Sequence, residues 1–527
     1  MIAAALAAAL ALSAAPARAA GRPEHGPRTP ETREALEALR LLADEDVARA
    51  RQVVEPLLAA HPGDPAARLA GGALRFYEQR YDDAVALLEA SGGGDPTGYL
   101  ALARAAREVT KGDARSEGEH FVVSYPPGKD EVLVPYVLDA LERQRVALAG
   151  ALDVSPEGKL AVEVVNDVKE LAKVTTLTEA EIRTSGTVAV CKFNKLMLLS
   201  PKALLKGYAW LDTAAHEYTH LVITLKSRNE APIWLQEGLA KWYEAAWRGG
   251  AEPLTPFEAA AVRDAAERNA LVTFEEMHPS LAKLPSQERA ALAYSEVVLA
   301  IERLVAQAGP KAPARVLDLV AAGRDAPQAV AETVGRPFDR FLSDWKEWLA
   351  RRPLPRGGQH ALRRLRFKDD PKHGGAWSEW AEIPDERARG YARLGEMMRT
   401  RGRALAARVE YAKAWERVGG RFPILADQYA LAAMASGAEA LAESVLGDAI
   451  AQSPDYAALH VHLARLLVRR QEWAKARDHL VRANREDPFD PEIHAGLSRA
   501  LAALGDPGGA SREERFARIL SPEGHPR

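Results

Sequence analysis

Residues 211–244 read LDTAAHEYTHLVITLKSRNEAPIWLQEGLAKWYE. His216 and His220 stand four apart in a run without proline or glycine, so a helix stacks both imidazoles on one face, one turn apart. Two imidazoles so placed can chelate a metal ion. Glu217 is rotated off that axis, where its carboxylate can hold and deprotonate a water on the same ion. Two histidines leave zinc short of ligands, and a third comes into reach after a turn at Ser227 to Glu230. Pro232 suits the first turn of a second helix, and Glu237 lies about one turn inside it. The short connection makes the two helices antiparallel neighbours, so Glu237 points back at the histidines.

His216, Glu217 and His220 form the H-E-x-x-H arrangement of zinc peptidases. Trp234, Leu235, Glu237, Gly238, Ala240 and Glu244 resemble the W-L-x-E-G-x-A-x-x-x-E segment of gluzincins, the thermolysin and aminopeptidase superfamily. The resemblance implies an α+β, thermolysin-like catalytic domain with a small sheet and active-site helices. It implies Zn2+ held by His216, His220 and Glu237, and a metallopeptidase in which Glu217 is the general base. One position departs from the pattern: four residues after Glu237, where thermolysin has an acid, stands Lys241. That leaves the partner of the first histidine open, with Asp212, one turn before His216, as a substitute. Iron, cobalt or nickel also accept nitrogen and oxygen ligands, but an open N/N/O set beside a base favours zinc.

The first twenty residues, MIAAALAAALALSAAPARAA, are an apolar stretch of signal-peptide length with an A-x-A site at Ala17 to Ala19. A cleaved leader and a secreted or periplasmic protein are expected. Beyond it no apolar run reaches the eighteen or so residues of a membrane span. At 527 residues, with 47% apolar and 27% charged composition, the chain predicts about three domains. A net charge of -3 carries no nucleic-acid signal. The single cysteine, Cys191, excludes a disulfide framework and reads as a small buried hydrophobe.

Residues 30–112 are helical in pattern and fit two helix pairs, with Gly72, Tyr81, Ala84 and Leu88 near tetratricopeptide packing positions. An unrelated helical bundle fits as well. Lys111 to Glu119 mark a boundary, and a domain at 117–352 opens with a strand at His120 to Tyr125. A helix at Tyr136 to Leu152, a strand at Leu160 to Asp167 and two strands within Thr187 to Leu199 follow. By the gluzincin resemblance, Lys195 to Ser200 would be the edge strand nearest the metal, able to hold an extended peptide.

Residues 253–351 are helical again. Their segment ALAYSEVVLAIERLV, Ala291 to Val305, looks like the helix that follows the ligand helix in peptidase MA-like proteins. By that resemblance Tyr294 is the candidate oxyanion donor, with His120, His278, Tyr218 and Tyr243 as rivals. Pro353 to Pro384 compose a linker at 353–385, and Trp377 and Trp380 suggest that part of it docks. Pro454, Pro488 and Pro522 then recur every thirty-four residues, the tetratricopeptide period, in an all-α array of about four units over 386–522. His460, His462 and His479 in that array read as packing residues. The expected protein is a zinc metallopeptidase acting on a peptide or protein, with repeats that recruit a partner or the substrate and can be detached near Arg352. The alternative is a tetratricopeptide scaffold whose protease-like domain binds without turnover.

Overall fold

The computed structural model describes residues 29–92, 97–250, 254–277, 281, 284–352, 365–370 and 379–521. The leader expected at 1–20, His278 and Trp377 lie outside them. The chain divides into two compact units. One comprises residues 2–200 and 211–357, the other 201–210 and 358–527.

The first unit begins with five helices: α1 (Pro30–Ala43), α2 (Val47–Ala60), α3 (Pro65–Tyr77), α4 (Tyr81–Ala90) and α5 (Tyr99–Val109). Thr29, Asp46 and Asp64 cap the first three through their side chains, as short oxygen-bearing residues do. The boundary residues are themselves a strand, β1 (Ala114–Glu117), which pairs antiparallel with β2 (Phe121–Tyr125). Then come α6 (Val134–Leu152), β3 (Leu160–Val165), α7 (Val168–Val174), α8 (Glu179–Ser185), β4 (Ala189–Lys192) and β5 (Lys195–Leu199). The sheet order is β1-β2-β3-β5-β4, with β2, β3 and β5 parallel and the outer strands antiparallel. The edge strand beside the histidine helix is therefore β4. Lys195 to Ser200, expected at the edge, fall on β5 inside the sheet, because β5 already pairs parallel with β3 and its hairpin partner takes the free side.

β3 is buried at every position, as a central parallel strand is, and this includes Glu163. Its carboxylate is 2.7 Å from Lys195 Nζ and accepts the Tyr81 hydroxyl, while Lys195 Nζ is 2.7 Å from that hydroxyl. The triad pins α4 to the sheet, and removing one member strands the other charge at a cost of about 3–5 kcal/mol.

The histidine segment is α9 (Trp210–Ser227) and the WLQEGLA segment is α10 (Ile233–Tyr243). Arg228 and Asn229, both at positive φ, reverse the chain between them. Among the described residues five further helices close the unit: α11 (Pro256–Glu267), α12 (Gln287–Ala308), α13 (Ala312–Ala321), α14 (Ala326–Val334) and α15 (Phe338–Arg351). At Gly238 a Cβ would stand 2.9 Å from Ile301 and 3.1 Å from the Val297 carbonyl, so glycine is what lets α10 approach α12.

The second unit holds four helix pairs: α16 (Glu386–Thr400) with α17 (Ala404–Val418), α18 (Pro423–Ala435) with α19 (Glu439–Gln452), α20 (Ala457–Arg469) with α21 (Trp473–Asn484), and α22 (Pro491–Ala503) with α23 (Pro507–Leu520). Alanines at the helix crossings, such as Ala407, Ala430, Ala442, Ala476 and Ala483, are fully buried. Residues 201–210 belong to this unit. Leu204 bridges to Phe367, Tyr208 N–H donates to Glu486 O at 2.9 Å, and Trp210 Nε1 donates to Asn484 O at 3.0 Å. Gly207 lies so close to the Glu486 carbonyl that any Cβ would overlap it. The described residues contain no helix long and apolar enough to cross a membrane.

Candidate metal centre

α9 and α10 bring three ligand atoms together. His216 Nε2 and His220 Nε2 are 3.1 Å apart, and Glu237 Oε2 is 3.4 Å from each. Bonds of about 2.0–2.1 Å to a tetrahedral ion put neighbouring ligand atoms roughly 3.3 Å apart, so the spacing fits zinc. The donor set fits as well. Both oxygens of Glu237 and Oε1 of Glu217 are buried without a hydrogen-bond partner, a costly state for carboxylates unless a cation is the missing neighbour.

Electrostatics follow from that crowding. Burial opposes the charged form of His216, but Glu237 and Glu244 outweigh it and lift its pKa to about 9. Burial likewise favours the neutral acid at Glu237, yet His220 and His216 prevail and hold it below the usual carboxylate range. Glu217 is raised by its burial. Its Oε2 accepts the Cys191 N–H of β4 at 2.8 Å, which leaves Oε1 as the oxygen able to take a proton. Cys191 thus matters through its main chain, and burial pushes its thiol pKa well up.

The acid that faces the first histidine is Glu244. Its Oε2 is 3.6 Å from His216 Nδ1, and its Oε1 receives Lys241 Nζ at 2.6 Å. Lys241, where thermolysin has an acid, therefore steadies the acid that faces the histidine. Asp212 is engaged elsewhere, accepting from Trp247 Nε1 at 2.9 Å and from Arg248 Nε at 3.0 Å and Nη2 at 2.8 Å.

Tyr294, on α12, has its ring 6.5 Å from that of His216, and burial beside Glu237 and Glu217 raises its pKa well above that of free tyrosine. Its rivals stand differently. His120 pairs with Glu142 at 2.7 Å and is half-buried, Tyr218 packs on Phe121 at 5.3 Å, and the Tyr243 carbonyl accepts from Gln144. In the repeats, His462 pairs with Asp427 at 2.7 Å and His460 with His479 at 2.9 Å.

Gln144 has no counterpart in the sequence reading. Fully buried on α6, it donates to Thr219 Oγ1 at 3.0 Å and Tyr243 O at 2.9 Å, and accepts from Trp247 N–H at 3.0 Å. One amide so ties the histidine helix to the end of the glutamate helix. A Gln between two arginines in a helix carries no sequence signal of this role.

Residues 147–351 match the family model of the Peptidase MA superfamily, and residues 433–500 match a tetratricopeptide-repeat model. The chain therefore carries a gluzincin-like domain with tetratricopeptide repeats. No curated protein matches it. Among solved structures, yeast leukotriene A4 hydrolase with bestatin aligns at 11% identity and TM-score 0.31, covering 77% of this chain and 67% of that one. The native enzyme from Saccharomyces cerevisiae aligns at 11% and 0.33, covering 77% and 66%. The Cut9-Hcn1 hetero-tetramer of the APC/C aligns at 13% and 0.24, covering 93% and 87%. The chain thus spans about two thirds of the hydrolase chains, and likenesses of this size carry no weight by themselves.

Proposed function

We propose that the protein is an exported zinc metallopeptidase whose repeats recruit the substrate or a partner protein. The observation that carries this reading is the convergence of His216, His220 and Glu237 at 3.1–3.4 Å, with the free carboxylate oxygen of Glu217 buried alongside. His216, His220 and Glu237 would hold the metal, which supplies Lewis acidity toward a water and a peptide carbonyl. Glu217 Oε1 takes a proton from the attacking water and passes it to the leaving amine. Cys191 N–H fixes the other oxygen of Glu217 so that the carboxylate does not rotate away. Tyr294, kept protonated by its surroundings, donates a hydrogen bond to the developing oxyanion. The Lys241 departure is consistent with this reading, because its ammonium holds Glu244 beside His216.

Glu217→Gln should keep the metal and the fold while lowering hydrolysis of an unstructured peptide by at least about a thousandfold, because an amide cannot accept the proton. Glu237→Ala should lose metal affinity instead. Hydrolysis by the Gln variant at the parent rate would remove Glu217 from the reaction. Export is tested on protein from the exported fraction, whose mass should place the new N-terminus near Ala20 or Gly21. An intact Met1 on protein found in the cytoplasmic fraction would refute it.

A further inference from the structure

The β4–β5 hairpin turns on Phe193 and Asn194, both at positive φ (59° and 55°), in the two-residue form that suits a twisted ladder. Asn tolerates that conformation. A phenylalanine there is an outlier that persists only where its surroundings impose it.

Two features of the N-terminal helices impose it. The Phe193 ring is caged by Phe76, Tyr77 and Tyr99, with centroids 5.1, 5.7 and 6.1 Å away. Glu45, in the α1–α2 turn and itself at φ 60°, accepts the Phe193 N–H at 2.9 Å and the Asn194 N–H at 2.5 Å, one on each carboxylate oxygen. These bonds fix the turn, and in a hairpin the turn fixes the register. The register decides which main-chain groups of β4 face off the free edge. A slip of one residue would turn the Cys191 N–H toward β5 and away from Glu217.

We infer that Glu45 is a positioning residue for the reaction: by clamping the hairpin turn it holds the Cys191 N–H on Glu217 and so orients the base. This assigns the N-terminal helices to the catalytic unit, and its last clause rests on the proposed role of Glu217. The burial that lifts the Glu45 pKa to about 7 fits a carboxylate kept for its geometry.

The decisive measurement is amide exchange at Cys191 in the zinc-loaded full chain, compared across the parent, Glu45→Ala, Glu45→Gln, Glu217→Ala and the double Ala variant. Glu45→Ala should raise exchange at Cys191 and at 193–194 about tenfold or more, and the Gln variant less, since its single amide oxygen still accepts one N–H. The two Ala changes should be non-additive at Cys191, because each breaks the same bond. With an unstructured peptide, kcat of Glu45→Ala should fall roughly tenfold while KM and zinc content stay within about twofold, as befits a misaligned base. Additive exchange effects, unchanged Cys191 exchange, or raised exchange with unchanged kcat would each overturn the inference. A parent that binds zinc but cleaves nothing would refute the peptidase reading alone, and the exchange cycle would still decide the clamp.

Discussion

Glu45 holds its proton more tightly in the folded protein, where burial raises its pKa to about 7, than in the unfolded chain, where the value is near 4.5. Its contribution to stability is therefore full below about pH 4.5 and is lost as pH rises toward 7. The charged and titratable groups around it are Lys192 and Cys191 on β4, Tyr77 on α3 and the adjacent Asp44. The Asn194 and Phe193 N–H groups oppose the shift, as does Lys192, whose own pKa is lowered to about 8 by burial. Glu45→Gln removes the titration. The variant should gain on the parent by about 1–3 kcal/mol between pH 4.5 and 7, then run parallel. Denaturation midpoints of both proteins across pH 4.5 to 8 check this, and a constant difference over that range would contradict it.

At the level of elements, the two metal helices are held by more than their own sequences. Gln144→Leu should leave Thr219 Oγ1, the Tyr243 carbonyl and the Trp247 N–H short of buried partners, at about 1–3 kcal/mol for each group that water cannot reach. A lower melting temperature and weaker retention of zinc against a chelator are expected. A variant that matches the parent in both would show that α9 and α10 hold their spacing without this amide. The same contrast explains what could be read in advance. His216, Glu217, His220 and Glu237 were legible because helical phase and a short turn place them locally, and the repeats because a thirty-four-residue period needs no partner to be seen. Glu244 facing His216, Gln144 bridging two helices and Glu45 under the hairpin were not, since each pairs residues remote in the chain. The order of β4 and β5 escaped for a related reason. Strand content shows in alternation, but which strand of a hairpin lies outermost depends on a third strand, β3, that arrives by a crossover.

For the whole molecule, the sequence treats the repeats as detachable, whereas the unit that contains them also contains Pro201–Trp210. A chain ending at Arg352 lacks Phe367, Asn484 and Glu486, which hold that segment through a bridge and two hydrogen bonds. The segment runs directly into α9, so its release should fray the turn before His216. Zinc affinity should drop roughly tenfold or more, equivalent to about 1.4 kcal/mol, with Trp210 newly accessible to a fluorescence quencher. Unchanged affinity and a shielded Trp210 in the shortened chain would restore the picture of detachable repeats.

Translation reads the same arrangement as a delay. The ribosome releases His216 and His220 long before it releases Asn484 and Glu486, and at about 5–20 residues per second the gap is on the order of tens of seconds. Through that interval Tyr208 and Trp210, later buried, face water as nascent chain. A half-made polypeptide therefore contains His216, His220 and Glu237 yet lacks the anchor of the helix that carries the two histidines until the third helix pair of the array has been synthesised.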